Sequence, residues 1–441
     1  MRDFSGRSDR RGFLKTAAAT VAATTVPSWF LEESRAAWLQ SSDVGEPRSI
    51  ALIGCGGRGR GVAREASAFG RITAVCDVDA RHIAEAQKLF PDAKAYRDFR
   101  EVMDQNDIDV IVCGTVDHWH TLISIAAMRA GKDVYCEKPL TLTIDEGKRL
   151  VKVANETNRI LQTGSQQRSD ARFRLACELV RNGRIGKVQQ VDAFLPKGRR
   201  DGPFSPAAVP GEFDWEFWKG PTPDVEFIPE KAHVTFRYWY DYSGGTMTDW
   251  GAHHNDIALW GLGLEKSGPV TISGRPLVDM IPGGYTAASE YAVEYTYDIG
   301  VRHRCISTAA NEWNGAVSDR FGQHHGVRFI GSDGWIWVTR GSIEASDPEM
   351  LTEPLPSDAE RLYVSDNHMQ NFMSSVESRE QPICNAEIGH RSVSICHLGV
   401  IAIRTGEELH WDPKAERFTG NEEMNKWLSR EMRAPWTYDS V

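Results

Sequence analysis

Arg48-Ser49-Ile50-Ala51-Leu52-Ile53-Gly54-Cys55-Gly56-Gly57-Arg58-Gly59 is the stretch from which the fold of this chain is read. Its first six residues form a short apolar run with the composition of a strand buried on both faces, as in a parallel sheet. The run passes directly into Gly54-x-Gly56-x-x-Gly59, and a helical stretch, Val62 to Phe69, follows. In that strand-turn-helix context Gly54 allows a tight turn, Gly56 lets backbone approach a pyrophosphate, and Gly59 lets helix pack on strand. The N–H groups at the start of the helix, with Gly57 and Arg58 beside them, are then free to hold an anion. A second apolar run, Ile72 to Cys76, ends in Asp77, at the distance where a carboxylate accepts both ribose hydroxyls of an adenosine. A second anion about 4 Å from it would cost roughly 4 kcal/mol at an effective dielectric of about 20, so Asp77 disfavours a 2′-phosphate and selects NAD over NADP.

The alternation of apolar runs and helical stretches continues outward. Helical Ala80 to Phe90 and Asp98 to Gln105 lead to a strand, Asp109 to Thr115; helix Thr121 to Ala130 leads to strand Asp133 to Cys136, and Arg159 to Thr163 is the last strand. This is a doubly wound parallel sheet of the Rossmann kind, whose ligand face lies at the carboxyl ends of the strands. Gly54 to Gly59, Asp77, Thr115, His118, His120, Glu137 and Lys138 all fall at those ends, and Gln166, Gln167 and Arg168 follow the last strand within reach of a nicotinamide ribose or a substrate hydroxyl.

The flanking regions read differently. Residues 1–46 carry Asp9-Arg10-Arg11-Gly12-Phe13-Leu14-Lys15 and then a weakly apolar Thr16 to Val26, too short and too rich in Ala and Thr to span a bilayer. That pattern is a twin-arginine export signal with a linker, which implies a periplasmic protein not inserted in the membrane once the signal is removed, and places residues up to Glu46 outside the fold. Ser34-Arg35-Ala36 offers a small-x-small cleavage site. Residues 47–165 form the nucleotide domain. Residues 166–425 read as an α+β domain: Lys187 to Leu195, Ser289 to Ile299, His303 to Ala309, Val327 to Ile330 and Trp335 to Thr339 have strand character, and Glu387 to Thr405 is a late helix. Residues 426–441 read as an irregular tail.

The 441-residue chain has 51 basic against 61 acidic residues, a net charge of -10, which gives no electrostatic reason to bind nucleic acid or an anionic membrane; small uncharged substrates fit better. The eight cysteines are scattered without paired short spacings and read as buried thiols. His118, His120, His253 and His254 lack an anionic ligand set, so no metal is expected.

Gly54 to Gly59, Cys76-Asp77-Val78-Asp79, Thr115-Val-Asp-His-Trp-His120, Glu137-Lys138-Pro139, Gly183-Arg-Ile-Gly186, Phe213-Asp-Trp-Glu-Phe-Trp218 and Gly244-Gly245-Thr-Met-Thr-Asp249-Trp-Gly-Ala-His253-His-Asn-Asp256 together resemble the glucose-fructose oxidoreductase / inositol dehydrogenase / MocA (Gfo/Idh/MocA) family, over residues 48 to 425. Val116 departs from the Pro common there. The resemblance implies a large open mixed or antiparallel sheet in the second domain, a homo-dimer or homo-tetramer built on its free face, and a working trio of Lys138, Asp249 and His253. Asp249, His253 and Asp256 are spaced i, i+4, i+7, which lines them along one helix face, while His254 points about 100° away. Oxidation of a secondary alcohol needs a base near working pH, which suits His253; Lys138 would stabilise alkoxide character, and Asp249 would pair with Lys138 or orient His253. Tyr238 and Tyr240 offer faces for a sugar ring.

The implied activity is NAD-dependent oxidation or reduction of a sugar or polyol with a tightly bound, recycling cofactor. A redox-assisted glycosidase or lyase of the same fold is the alternative, although that branch often departs from the Glu-Lys-Pro pattern kept here. A non-enzymatic nucleotide-binding protein would have no use for Lys138 together with His253.

Overall fold

A computed structural model describes residues 26–40, 43–307 and 325–439. Six strands, β1 (Arg48–Ile53), β2 (Gly70–Cys76), β3 (Lys94–Tyr96), β4 (Val110–Cys113), β5 (Asp133–Cys136) and β6 (Leu161–Thr163), form a parallel sheet in the order β3-β2-β1-β4-β5-β6. This is the doubly wound Rossmann arrangement. Its central strands β4 and β5 are buried at every residue, which is why they read as continuous apolar runs. The order reverses beside β1, and the cleft opens there, at the carboxyl ends of the strands.

Two helices start earlier than the sequence suggests. The first spans Gly57–Ala66, so three residues of the glycine-rich stretch already belong to its first turn, and the Arg60 N–H donates to the Gly56 carbonyl at 3.0 Å. Glycine is a poor helix former, and the pattern hides a turn that close packing enforces: a Cβ on Gly59 would lie 1.9 Å from the Gly54 carbonyl oxygen. The second spans Asp117–Arg129 and is buried from Asp117 to Met128, which places His118 and His120 in a helix and not in a loop.

The second domain is built on nine strands among the described residues. Besides β7 (Val188–Leu195), β9 (Tyr291–Thr296), β10 (Arg302–Ser307), β11 (Gly326–Gly331) and β12 (Trp335–Val338), these are β8 (Thr271–Pro276), β13 (Ile343–Ala345), β14 (Leu409–Asp412) and β15 (Arg417–Thr419). Their order is β13-β12-β11-β7-β10-β9-β8-β14-β15, with β7 and β10 parallel and the other pairs antiparallel. Helices Ala171–Arg181, Gly251–Leu262 and Ala386–Thr405 back it, and the middle one is buried from Gly251 to Gly261. On the sheet, Asp192 sits between its register partners Arg304 and Arg328, at 2.7 and 2.8 Å. The eight cysteines are all buried and free. Among the described residues no helix is long and apolar enough to cross a bilayer.

Both ends of the chain correct the sequence reading. The twin arginines lie outside the described residues, but Ser28–Gln40 is a helix docked on the second domain and does not fall outside the fold. Phe30 is 1% exposed, with the Arg174 guanidinium 4.0 Å above its ring, and Glu33 pairs with Arg361 at 3.0 Å. Cleavage at Ser34-Arg35-Ala36 would strip these contacts. At the other end the tail is not free: Trp436 stacks on Phe217 and packs edge-on against Trp119, 4.8 Å between centroids, which ties the C-terminus to the nucleotide domain. Isolated aromatic residues in a polar stretch carry no period from which such docking could be read. Phe30→Ala should therefore lower stability by about 3–5 kcal/mol, read as an earlier urea midpoint, and a chain starting at residue 47 should lose at least as much. An unchanged midpoint in both would show that the helix is dispensable.

Candidate active site

A cavity of about 690 Å³ opens between the two domains. Its floor is the glycine turn. Gly54 has φ +91°, a conformation L side chains rarely adopt, and a Cβ there would meet the Gly114 backbone at 2.5 Å. Gly56 and Gly57 line the cavity, and nothing lies within 4 Å of where their Cβ atoms would be, so a ligand can come against bare backbone at the helix start. The Asp77 carboxylate is held in place by the Cys55 N–H at 2.7 Å and the Asp79 N–H at 2.9 Å, and it faces the same cavity. This is a fitted dinucleotide cradle.

Next to it, Arg58 donates to Glu137 at 2.8 Å, and Gln166 bridges Glu137 (3.1 Å) and the Tyr135 hydroxyl (2.8 Å). Burial works against the Arg58 charge, but Glu137 outweighs it and raises the guanidinium above its ordinary range. Thr115 lines the cavity nearby. Lys138, just past β5, forms an ion pair with Asp249 from the other domain and donates to the Asp249 carbonyl at 3.0 Å; Arg237 stands 3.5 Å from the same carboxylate. Burial pushes Asp249 up, yet Lys138 and Arg237 hold it below the usual carboxylate range. His253 lines the cavity one turn on. Burial, then the charges of Lys138 and Arg340, push its imidazole well below the ordinary value, so it is neutral near pH 7.

Several residues expected at the site lie elsewhere. Arg168 and Asp256 form a buried bidentate ion pair, 2.7 Å on each arm, away from the cavity. The helix is interrupted at Trp250 between Thr246–Asp249 and Gly251–Leu262, and seven residues advance about 10 Å along an axis, so Asp256 points into the core although its angle matches Asp249. His118 and His120 are buried staples and do not touch the cavity. His118 Nε2 is 2.8 Å from the Trp218 carbonyl, and His120 Nδ1 is 2.7 Å from that of Pro139, which braces the Lys138 turn. Burial presses His118 down to about 3. Tyr238 packs on Tyr285, and Tyr240 is sandwiched between Arg404 (3.6 Å) and Arg430 (3.8 Å) beside a separate cavity of about 300 Å³.

Residues 48–165 match the family model described as the oxidoreductase family, NAD-binding Rossmann fold, and residues 193–318 and 340–438 match that of its C-terminal alpha/beta domain. The chain belongs to the Gfo/Idh/MocA oxidoreductase family. Among Gfo/Idh/MocA relatives, it is 32% identical over 114 residues to myo-inositol 2-dehydrogenase of Thermotoga maritima, covering 26% of this chain and 34% of that one. It is 32% identical over 172 residues to glycosyl hydrolase family 109 protein 2 of Shewanella sp. (strain ANA-3), covering 34% and 38%. The chain thus spans little more than a third of the length of these two curated relatives. The solved WlbA dehydrogenase of Bordetella pertussis, in complex with NADH and UDP-GlcNAcA, shares the fold with a TM-score of 0.62 at 16% identity, over 83% of this chain and 99% of that one. The cofactor of the Rossmann domain is NAD.

Sequence reasoning missed His82, His233 and Arg340, all of which line the cavity, while Gln167, expected near the nicotinamide ribose, does line it. His82 Nδ1 sits 3.3 Å from Asp77, and His233 reaches across from the second domain to 3.4 Å from Asp79. The turn His233–Tyr238 is the segment that overhangs the cofactor cradle. No motif marks these residues: His233 and Arg340 are delivered from the second domain, and His82 sits on the helix after β2 with nothing in its spacing to set it apart. Asp77→Ser should weaken NAD and relieve repulsion of NADP, moving the ratio of their dissociation constants by tenfold or more toward NADP, read by fluorescence titration; an unchanged ratio would mean that Asp77 does not meet the ribose. Asp256→Ala should cost about 3–5 kcal/mol of stability by leaving Arg168 buried and unpaired. A variant with intact thermal stability but a raised KM would return Asp256 to the substrate site.

Proposed function

We propose that this chain is an NAD-dependent oxidoreductase acting on a secondary alcohol of a sugar, glycoside or polyol. The convergence of Lys138, Asp249 and His253 on the cavity that also holds the dinucleotide cradle carries this reading. NAD, when bound, supplies the acceptor for the hydride leaving the carbinol carbon. Lys138 Nζ, anchored by the carboxylate and carbonyl of Asp249, directs its remaining N–H at the substrate oxygen and stabilises negative charge as it develops there. Neutral His253 takes the hydroxyl proton. Its Nδ1 is buried without a partner, which leaves Nε2 for the substrate. The cations that keep His253 neutral also make its protonated form short-lived, so the proton passes on to solvent.

The family 109 relative supports a second reading, in which oxidation of the sugar prepares cleavage of a glycosidic bond. Lys138 within an intact Glu137-Lys138-Pro139 favours the first. Mass spectrometry of products from sugars, glycosides and inositols separates the two: a ketone of unchanged size supports the first, a released aglycone the second.

The remaining parts of the reading are export and assembly. Arg10-Arg11 with Phe13, Leu14 and Lys15 supports export to the periplasm by the twin-arginine route, and the sheet face opposite the helices, where Phe194, Arg304 and Arg328 are half-buried, supports a homo-dimer or homo-tetramer. An exported enzyme has no pool of free NAD. Retained cofactor, regenerated by a second substrate, resolves this, and the His233–Tyr238 turn is placed to hold it.

Lys138→Ala and His253→Ala should each lower turnover by about 10² to 10⁴ with NAD affinity nearly intact. His254, stacked on Trp250 and 3.1 Å from His325, should matter far less. Equal small effects of His253→Ala and His254→Ala would remove the base assignment. Protein purified without nucleotide and then denatured should release near-stoichiometric NAD; an empty protein that turns over only with added NAD would overturn cofactor retention.

A further inference from the structure

The charges along the catalytic part of the cavity do not balance. Arg58 is matched by Glu137, and Lys138 and Arg237 share the one carboxylate of Asp249. Asp170, also in the lining, is occupied by Arg172 at 2.6 Å. Arg340 is different. It sits in the turn joining β12 to β13, which the Thr339 N–H closes onto the Ser342 carbonyl at 2.9 Å, and it faces the cavity with no carboxylate in ion-pair range among the described residues.

Its position is nevertheless fixed. The guanidinium lies over the Trp250 ring at 4.9 Å, one residue past Asp249; with the Gln167 amide turned to the orientation that satisfies both its ends, Nε donates to its oxygen at 3.2 Å and its NH2 donates to the His253 carbonyl at 3.0 Å. Stacking and this one bond use the ring-facing side and Nε, which leaves the Nη edge of a planar fork directed at the cavity. Arg58, Asp249 and Glu137 are the charges that act on it most strongly, so it overlooks the same floor as the catalytic lysine. A guanidinium fork held in place beside a reacting centre is suited to bidentate recognition of a carboxylate. Of these four cations Arg340 is the one with no carboxylate of its own among the described residues, and a substrate carboxylate would supply it.

We propose that Arg340 is the specificity residue for an anionic substrate, binding the carboxylate of a sugar acid, a uronate or aldonate, whose secondary alcohol then lies against Lys138 and His253. This rests on the oxidoreductase reading and narrows it, and it replaces the uncharged substrate that net charge alone favours.

The test uses the full chain loaded with NAD. D-Glucuronate, D-galacturonate and D-gluconate are compared with D-glucose, D-galactose and myo-inositol, with nicotinamide absorbance for turnover and calorimetry for binding. The expected result is a kcat/KM, or where turnover is too slow an affinity, at least tenfold higher for one of the acids. Arg340→Leu should reduce that acid-over-neutral ratio about 10- to 100-fold, and Arg340→Lys should restore part of it. Neutral sugars turned over as well as or better than the acids, or a ratio that Arg340→Leu leaves in place, would overturn the proposal while the oxidoreductase reading stands. Absence of binding by any of the acids overturns it too. Failure of the protein to bind NAD, measured first, would instead remove the oxidoreductase reading, and this proposal with it.

Discussion

The ion pair between Lys138 and Asp249 is the constraint on which the rest of the site depends. One partner comes from the end of β5 in the nucleotide domain and the other from the helix entry in the second domain, and both side chains are largely withdrawn from solvent. Separating two charges so placed would leave each uncompensated, so the pair sets the angle at which the domains meet. It also fixes the direction of the lysine N–H and adds to the positive field that keeps His253 neutral. Cleft width and donor direction follow from this one contact, and it adds to burial in setting the protonation of His253.

Around that pair the protein supports its working residues indirectly. Arg168 and Asp256 lock the deeper part of the helix that carries His253, and Ser392 adds a further bond to Asp256. His120 braces the turn that carries Lys138, and His118 ties the same helix to the Trp218 carbonyl of the second domain. These groups are polar and buried, and each has partners in the surrounding structure. Preorganisation of this kind lets a small number of exposed atoms act in a defined direction.

The contrast between Asp249 and Asp256 shows how far sequence spacing reaches. Both follow the seven-residue relation that puts side chains on one helix face, and both were plausible site residues. Angle is a property of the helix alone, whereas depth depends on where the helix enters the core. The break at Trp250 and the burial of Gly251 to Gly261 send one carboxylate to the cleft and the other to Arg168. Tyr238 and Tyr240 make the same point, since an aromatic residue near a catalytic helix serves packing as readily as recognition.

The Rossmann sheet and its glycine turn were legible because each is encoded by residues close in sequence, a strand, its turn and the helix after it; Lys138, 111 residues from Asp249, was grouped with Asp249 and His253 only through the family resemblance. The second sheet was legible only in part. β7 pairs with β10 and β11 across more than a hundred residues, and β8 pairs with β14, so short strands such as β13 and β15 acquire their identity from partners that no local period reveals. Tertiary structure alone decided that the Ser28–Gln40 helix belongs to the fold, that His233 overhangs the dinucleotide cradle and that Arg340 lines the same cavity as Lys138. The physical reason is that local sequence determines backbone periodicity and the chemistry of each side chain, while the partner that satisfies a charge or covers an apolar face is set by chain crossing.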